Sequence, residues 1–319
     1  MNSSFQSDEN QDNLLVSENI ENNLKIIAIN VNSLISVNKQ YITQNFLDTE
    51  KPDIVLVSET KLNPTHYVNF QNYNFLRSDR PLATQGGGTA LLYKKCLNLK
   101  QIKRDFFYNF KLIEVTVAKL NLVNNRSLFL ISLFATNSNR NLFINEIDTL
   151  FNKLKLNNSK NYYIISGDFN ARNTLWGDTV DSQRAKYLNR WYQKNGVEQK
   201  CALYTPESPT YENSFLDHCL ADARLKIINN NNKLPVQLYD SDHNALKITA
   251  HIPTQFEDND DPVPPKFLFK KTNGSKFIKV AHKNYKSNVP SDYNISNENI
   301  DIYINEINGA LLKTIELLK

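Results

Sequence analysis

A single large α/β domain is the expectation for this chain, and three features carry it. Short apolar runs recur along the sequence, each reading as a buried strand. Helical spacing separates several of them. Of the 319 residues, 40% are apolar and 22% charged, enough for a sizeable core. Residues 24–31 read as the first strand. Residues 34–50 place Ile35, Ile42, Phe46 and Leu47 at helical spacing, Pro52 breaks that helix, and residues 53–58 form a second strand. Gln85-Gly86-Gly87-Gly88 leads into a strand at 89–93. No Gly-Lys-Ser/Thr follows those glycines, so they predict a turn or a close strand approach in preference to a phosphate loop. Strands at 111–120 and 127–134 precede a helix at 141–156, whose apolar face is Leu142, Phe143, Ile147, Leu150, Phe151 and Leu154. A strand at 162–166, a helix at 182–195 and strands at 210–215, 216–221 and 245–252 complete the pattern.

The domain boundaries follow from composition. Residues 1–22 are polar and predict a disordered tail. The domain proper is expected at 23–255. Beyond it, FEDNDDPVPPK is acidic and then proline-rich, as linkers are, and 256–319 reads as that linker plus a basic, helical tail. Within the tail, 266–286 carries no acidic residue, and Ile300, Tyr303, Ile304, Ile307, Leu311, Leu312 and Ile315 space an amphipathic helix. The net charge of +4 is compatible with a nucleic-acid partner without demanding one. Cys96, Cys201 and Cys219 show no paired spacing, which predicts a reducing compartment and no disulfide framework. No run approaches the ~20 apolar residues of a membrane span, and the polar, acidic N-terminus is unlike a secretory signal, so no membrane partner is expected.

Chemistry is concentrated at the ends of the apolar runs. Asn30-Val31-Asn32, Ser58-Glu59-Thr60, Gly167-Asp168-Phe169-Asn170 and Ser241-Asp242-His243 each stand at such an end or just ahead of the last run. Strands that stop at one rim of a sheet can bring such residues into one site. Hard oxygen ligands, a carboxylate able to handle a water proton and a cation facing phosphate are what metal-dependent phosphodiester chemistry requires.

These residues carry a resemblance. The chain resembles the endonuclease/exonuclease/phosphatase superfamily and, more narrowly, the apurinic-type endonuclease domain of non-LTR retrotransposons. The resemblance rests on Ile29 to Leu34, on Pro52 to Thr60, on GDFNARNTLWGD from Gly167 to Asp178, on Ser208-Pro209-Thr210-Tyr211, on Phe215-Leu216-Asp217-His218 and on Ser241-Asp242-His243. It covers about residues 24–252, and the tail is similar to the segment that precedes the reverse transcriptase in such elements. It implies a four-layer α/β sandwich, two packed mixed sheets flanked by helices. It further implies a Mg²⁺-dependent DNA endonuclease, with Mn²⁺ as an alternative ion, that nicks one strand and leaves a 3′ hydroxyl to prime reverse transcription. Implied partners are DNA and a reverse transcriptase or the element's RNA. The implied location is the nucleus, or the cytoplasm before import.

Chemistry and resemblance assign the same roles. Glu59 is the expected metal ligand, Asn30 and Asn32 hold the metal or orient Glu59, and Asp242 faces the metal. Asp168 orients or deprotonates the attacking water, and Asn170 donates to the phosphate. His243 faces the scissile oxygen and Asp217 orients its imidazole. Arg172, Trp176, Thr210 and Phe134 are expected to contact substrate. Three positions depart from the family's pattern: Phe134 stands for a tyrosine, Arg172 for a histidine, and Asn32 for the acid of repair-type relatives. Two other readings stay open: an apurinic-site repair nuclease or other phosphoesterase of the same fold, and a nucleic-acid-binding descendant that does not cut.

Overall fold

The structure, a computed structural model, describes residues 23–80, 86–103, 110–136, 143–229 and 239–252. The expected tail at 1–22 and the expected linker and helical tail at 256–319 lie outside the described residues.

Twelve strands and three helices follow one another in the described residues. They are β1 (Asn23–Asn30), α1 (Val37–Glu50), β2 (Ile54–Ser58), β3 (Tyr73–Ser78), β4 (Thr89–Lys94), β5 (Leu99–Gln101), β6 (Ile113–Asn121), β7 (Ser127–Ala135), α2 (Phe143–Leu154), β8 (Asn161–Asp168), α3 (Gln183–Asn195), β9 (Cys201–Tyr204), β10 (Asp217–Asp222), β11 (Lys226–Asn229) and β12 (Leu246–His251). They form two six-stranded sheets, ordered β11-β12-β1-β2-β4-β3 and β5-β6-β7-β8-β10-β9. Both are mixed: β1–β2 and β7–β8 are parallel, and the other pairs are antiparallel.

Side-chain alternation stacks the layers. Along a strand successive side chains point to opposite faces. Ile26 and Ala28 of β1, Ile54 and Leu56 of β2, Leu128 and Leu130 of β7, Tyr162 and Ile164 of β8, and Cys219 and Ala221 of β10 share one core between the sheets. The alternate residues face outward. Ile27, Ile29, Val55 and Val57 pack with Phe46 and Leu47 of α1. Ile131, Leu133, Tyr163 and Ile165 pack with Phe143, Ile147 and Phe151 of α2 and Leu188 and Trp191 of α3. This is the expected four-layer sandwich. The central strands are apolar on both faces because both faces are covered.

Two local readings change and one holds. α1 begins at Val37, because the Ser36 hydroxyl caps it by accepting the Lys39 N–H; residues 34–36 are the entry loop. The expected strand at 210–215 is a tight turn, with Ser214 and Tyr211 exchanging backbone hydrogen bonds and Glu212 at φ 46°. The triple glycine does serve close approach: Thr60 and Lys61 donate their N–H groups to the carbonyls of Gly88 and Gly87.

Candidate active site

The strand parity that builds the inner core also builds the site. Asn30 continues the inward face of β1, Phe134 that of β7, Asp168 that of β8 and Asp217 that of β10. In register, Phe134 pairs Asp168 and Asp168 pairs Asp217, so three of them form a row along one rim of the second sheet. Asn30 and Ser58 pair at the corresponding rim of the first sheet. The site therefore lies between the sheets where these strands end.

A common turn ends three of the segments. The Asn30 side-chain oxygen accepts the N–H of Asn32 at 3.0 Å, Asp168 accepts that of Asn170 at 2.7 Å, and the Ser241 hydroxyl accepts that of His243 at 3.2 Å. Such turns let a short polar side chain close the backbone on itself. Asn32, Glu59 and Asn170 all have positive φ, at 46°, 55° and 49°. Backbone held in this region clusters where function over-determines it.

Asn30 is the hub. Its buried amide nitrogen lies 3.2 Å from Glu59 Oε1, 3.2 Å from Asp168 Oδ2 and 3.4 Å from His243 Nε2. Because its carbonyl oxygen is used by the Asn32 N–H, Asn30 offers N–H to Glu59 and so orients that carboxylate. On the other side of the imidazole, His243 Nδ1 lies 2.8 Å from Asp217 Oδ2. Tyr239 holds the His243 carbonyl at 2.8 Å, and the half-exposed Tyr211 ring sits 4.9 Å from the imidazole. Asn32 donates to Asp242 Oδ1 at 3.2 Å and accepts from Lys61 Nζ, which is 3.7 Å from Glu59 Oε2. Asn170 Nδ2 donates to the Ala135 carbonyl at 2.8 Å and lies 3.3 Å from Asp168.

Charge is crowded here. Burial, then the Asp217 carboxylate, push the Asp168 carboxyl up to about 8, against the pull of His243. Burial disfavours the His243 cation, but the Asp217 carboxylate outweighs it and raises the imidazole to about 9. The folded, metal-free protein thus holds more protons than the unfolded chain between 3.8 and about 8 at Asp168, and between 6.5 and about 9 at His243. Where the native state binds the extra protons, stability falls as pH rises. The melting temperature in EDTA should therefore drop from pH 6 to pH 8.5, and Asp168→Asn should flatten the profile and raise its alkaline end. A flat wild-type profile would contradict this charge arrangement.

Thus Asn30, Asn32, Glu59, Asp168, Asn170, Asp217, Asp242 and His243 come together. Three expected substrate contacts do something else. Arg172 forms an ion pair with buried Asp178, at 3.1 Å from both Nε and NH2. Trp176 is buried, with its ring 4.8 Å from that of His218. Thr210 is buried and its hydroxyl accepts the Leu216 and Asp217 N–H groups at 3.1 and 3.2 Å, which fixes the start of β10. Phe134 does reach the rim beside Asp168, with Arg80 over its ring at 5.9 Å. Phe134→Tyr would add a hydroxyl donor at that rim, and turnover should rise ~10-fold with little change in stability. A variant no faster than wild type would mean that the added hydroxyl does not reach the reacting group. Lys61 and Tyr211 are site residues to which the sequence reading gave no role, although Tyr211 stood inside the quoted Ser208-Pro209-Thr210-Tyr211 and Lys61 follows Glu59 by two residues.

Comparison with known proteins bears on the fold and the family. The family described as "Endonuclease-reverse transcriptase" matches residues 128–247, a span that holds Asp168, Asn170, Asp217 and His243. Among solved structures, the endonuclease domain of TRAS1, a telomere-specific non-LTR retrotransposon, superposes with a TM-score of 0.54 at 16% identity, over 73% of this chain and 100% of that one. The AP endonuclease LMAP from Leishmania major gives 0.53 at 15% identity, over 72% and 88%. An endonuclease/exonuclease/phosphatase from Bacteroides vulgatus gives 0.51 at 12% identity, over 72% and 99%. At these identities the likeness is one of fold. A comparison of the sequence with curated proteins finds no match.

Proposed function

We propose, for a chain that carries the endonuclease/exonuclease/phosphatase fold and matches the endonuclease-reverse transcriptase family over 128–247, that it is a Mg²⁺-dependent endonuclease nicking DNA to leave a 3′ hydroxyl. The observation that carries the reading is the convergence on Asn30 of Glu59, Asp168 and the Asp217-backed His243.

The donor set suits a hard divalent ion. Glu59 and Asp242 would hold it, and the Asn32 side-chain oxygen would join them only in place of its hydrogen bond from Lys61. No group of three or more His, Cys, Asp or Glu forms a metal cage among the described residues. Magnesium characteristically takes only one or two carboxylates and completes its sphere with substrate phosphate and water. Bound there, the ion would supply positive charge against the phosphate.

The chain's own residues do the rest. Asp168, buried beside Asn30 and paired in register with Asp217, would orient and deprotonate the attacking water. His243 is backed by Asp217 at Nδ1, and its Nε2, 3.4 Å from the Asn30 amide nitrogen, would stabilise charge developing on a phosphate bound there. Asn170, fixed by the Asp168 turn and the Ala135 carbonyl, stands at the same rim to donate. The product test is direct. Nicked plasmid should prime synthesis by a DNA polymerase without any prior end treatment. Nicks that prime only after phosphatase treatment would mean a 3′ phosphate and a different cleavage.

A further inference from the structure

Arg172 and Trp176 are held by the scaffold, and what they build leads to a second surface. The segment between β8 and α3 is closed on itself. Ser182 donates its N–H to the Arg172 carbonyl and its hydroxyl accepts the Arg172 N–H at 3.0 Å. Asp181 accepts the Thr174 N–H at 2.7 Å. Asp178 takes the Thr179 N–H at 2.7 Å and the Phe215 N–H at 2.9 Å while holding Arg172. Trp176 anchors the turn in the core. This rigid loop keeps Leu175 and Val180 in water, 48% and 47% exposed. It adjoins the catalytic rim at both anchors: Arg172 follows Asn170 by two residues, and Phe215 precedes Asp217 by two.

The loop runs straight into α3, whose exposed positions include Lys186, Arg190 and Lys194. These lie four residues apart, so they form one stripe about 12 Å long. Residues 182–197 contain no acid. Like charges at this spacing on one helix face repel one another. Lys186 also sits near the positive N-terminal end of the helix dipole; the first turn holds no acid, and Asp181, just ahead of the Ser182 cap, offsets only part of that charge. The arrangement costs the isolated helix stability, and a bound polyanion would relieve it.

We propose that this face, the Leu175–Val180 loop with the Lys186, Arg190 and Lys194 stripe, docks duplex DNA on one flank of the nick. It rests on the nuclease reading above. The stripe grips phosphates, and Leu175 and Val180 press apolar surface against the sugar and base edges beside the rim.

The test is binding of a labelled duplex to the full chain in EDTA across a salt series, which needs no cleavage. Changing Lys186, Arg190 and Lys194 together to Gln should flatten the slope of log affinity against log salt by about 2 to 3, roughly 0.9 for each phosphate that is no longer neutralised. Its melting temperature should hold or rise as the repulsion goes. A control with the exposed Lys51, Lys95 and Lys100 changed to Gln should keep the wild-type slope. Leu175→Ala with Val180→Ala should weaken binding several-fold at every salt without altering the slope. An unchanged slope in the stripe variant overturns the inference while the nuclease reading stands, as does an equal flattening in the control. Failure of wild type to bind any DNA overturns both.

Discussion

Asp168→Ala and His243→Ala should each lower DNA nicking by ~10³-fold or more while leaving the protein folded. Each group has its own task in the geometry. Asp168 is buried beside Asn30 and Asp217, where its carboxyl is pushed up to about 8 by desolvation and by its acidic neighbour. His243 is the imidazole that Asp217 backs at 2.8 Å. Asp168 carries a desolvated, crowded charge, so removing it should not unfold the chain; Asp168→Asn, which keeps the shape, should melt at or above the wild-type temperature near pH 8. Single-turnover nicking beside a melting curve reads both effects. Either alanine variant within tenfold of wild type would remove that residue from the chemistry.

The second large effect is on stability. Gly167 stands one residue before Asp168 at φ 146°, and a Cβ there would lie 2.1 Å from the Leu133 carbonyl oxygen of the paired strand. Backbone cannot yield as a flexible side chain can. Gly167→Ala should cost ~3 kcal/mol or more, or prevent soluble expression. Gly177→Ala, at φ 105°, meets the end of the Phe215 ring at 3.0 Å and should cost less. Denaturant midpoints measure the pair. Equal, small losses at both positions would mean that β7 and β8 can separate at the rim, which the proposed site does not allow.

How much of this was legible in the sequence follows a physical line. The strands covered on both faces, β1, β2, β4, β7 and β8 among them, are short continuous apolar runs, so Ile26 to Ile29 and Tyr162 to Ile165 announce themselves. The four strands that went unread, β3, β5, β9 and β11, are the four edges of the two sheets. Edge strands are short and half solvated, and YNFLRS or KIIN carries no pattern that separates it from a loop. The site was legible where side chain and turn chemistry coincide, as in Asn30-Val31-Asn32 and Gly167 to Asn170. It was not legible where a plausible polar or aromatic residue could be spent on either substrate or scaffold. Arg172 is bound to Asp178 and Trp176 to the core. For Trp176 only a partner far along the chain, His218, decides between the two uses. Lys61 was hidden for the same reason, since its hydrogen bond to Asn32 joins the ends of two strands that are distant in sequence.

The most direct measurement of the central claim is the conversion of supercoiled plasmid to open circles by the purified chain. With Mg²⁺ it should accumulate singly nicked circles, and EDTA should stop it. Persistence of the supercoiled form across a range of Mg²⁺ and Mn²⁺ concentrations, with a cooperatively folded protein, would contradict the account.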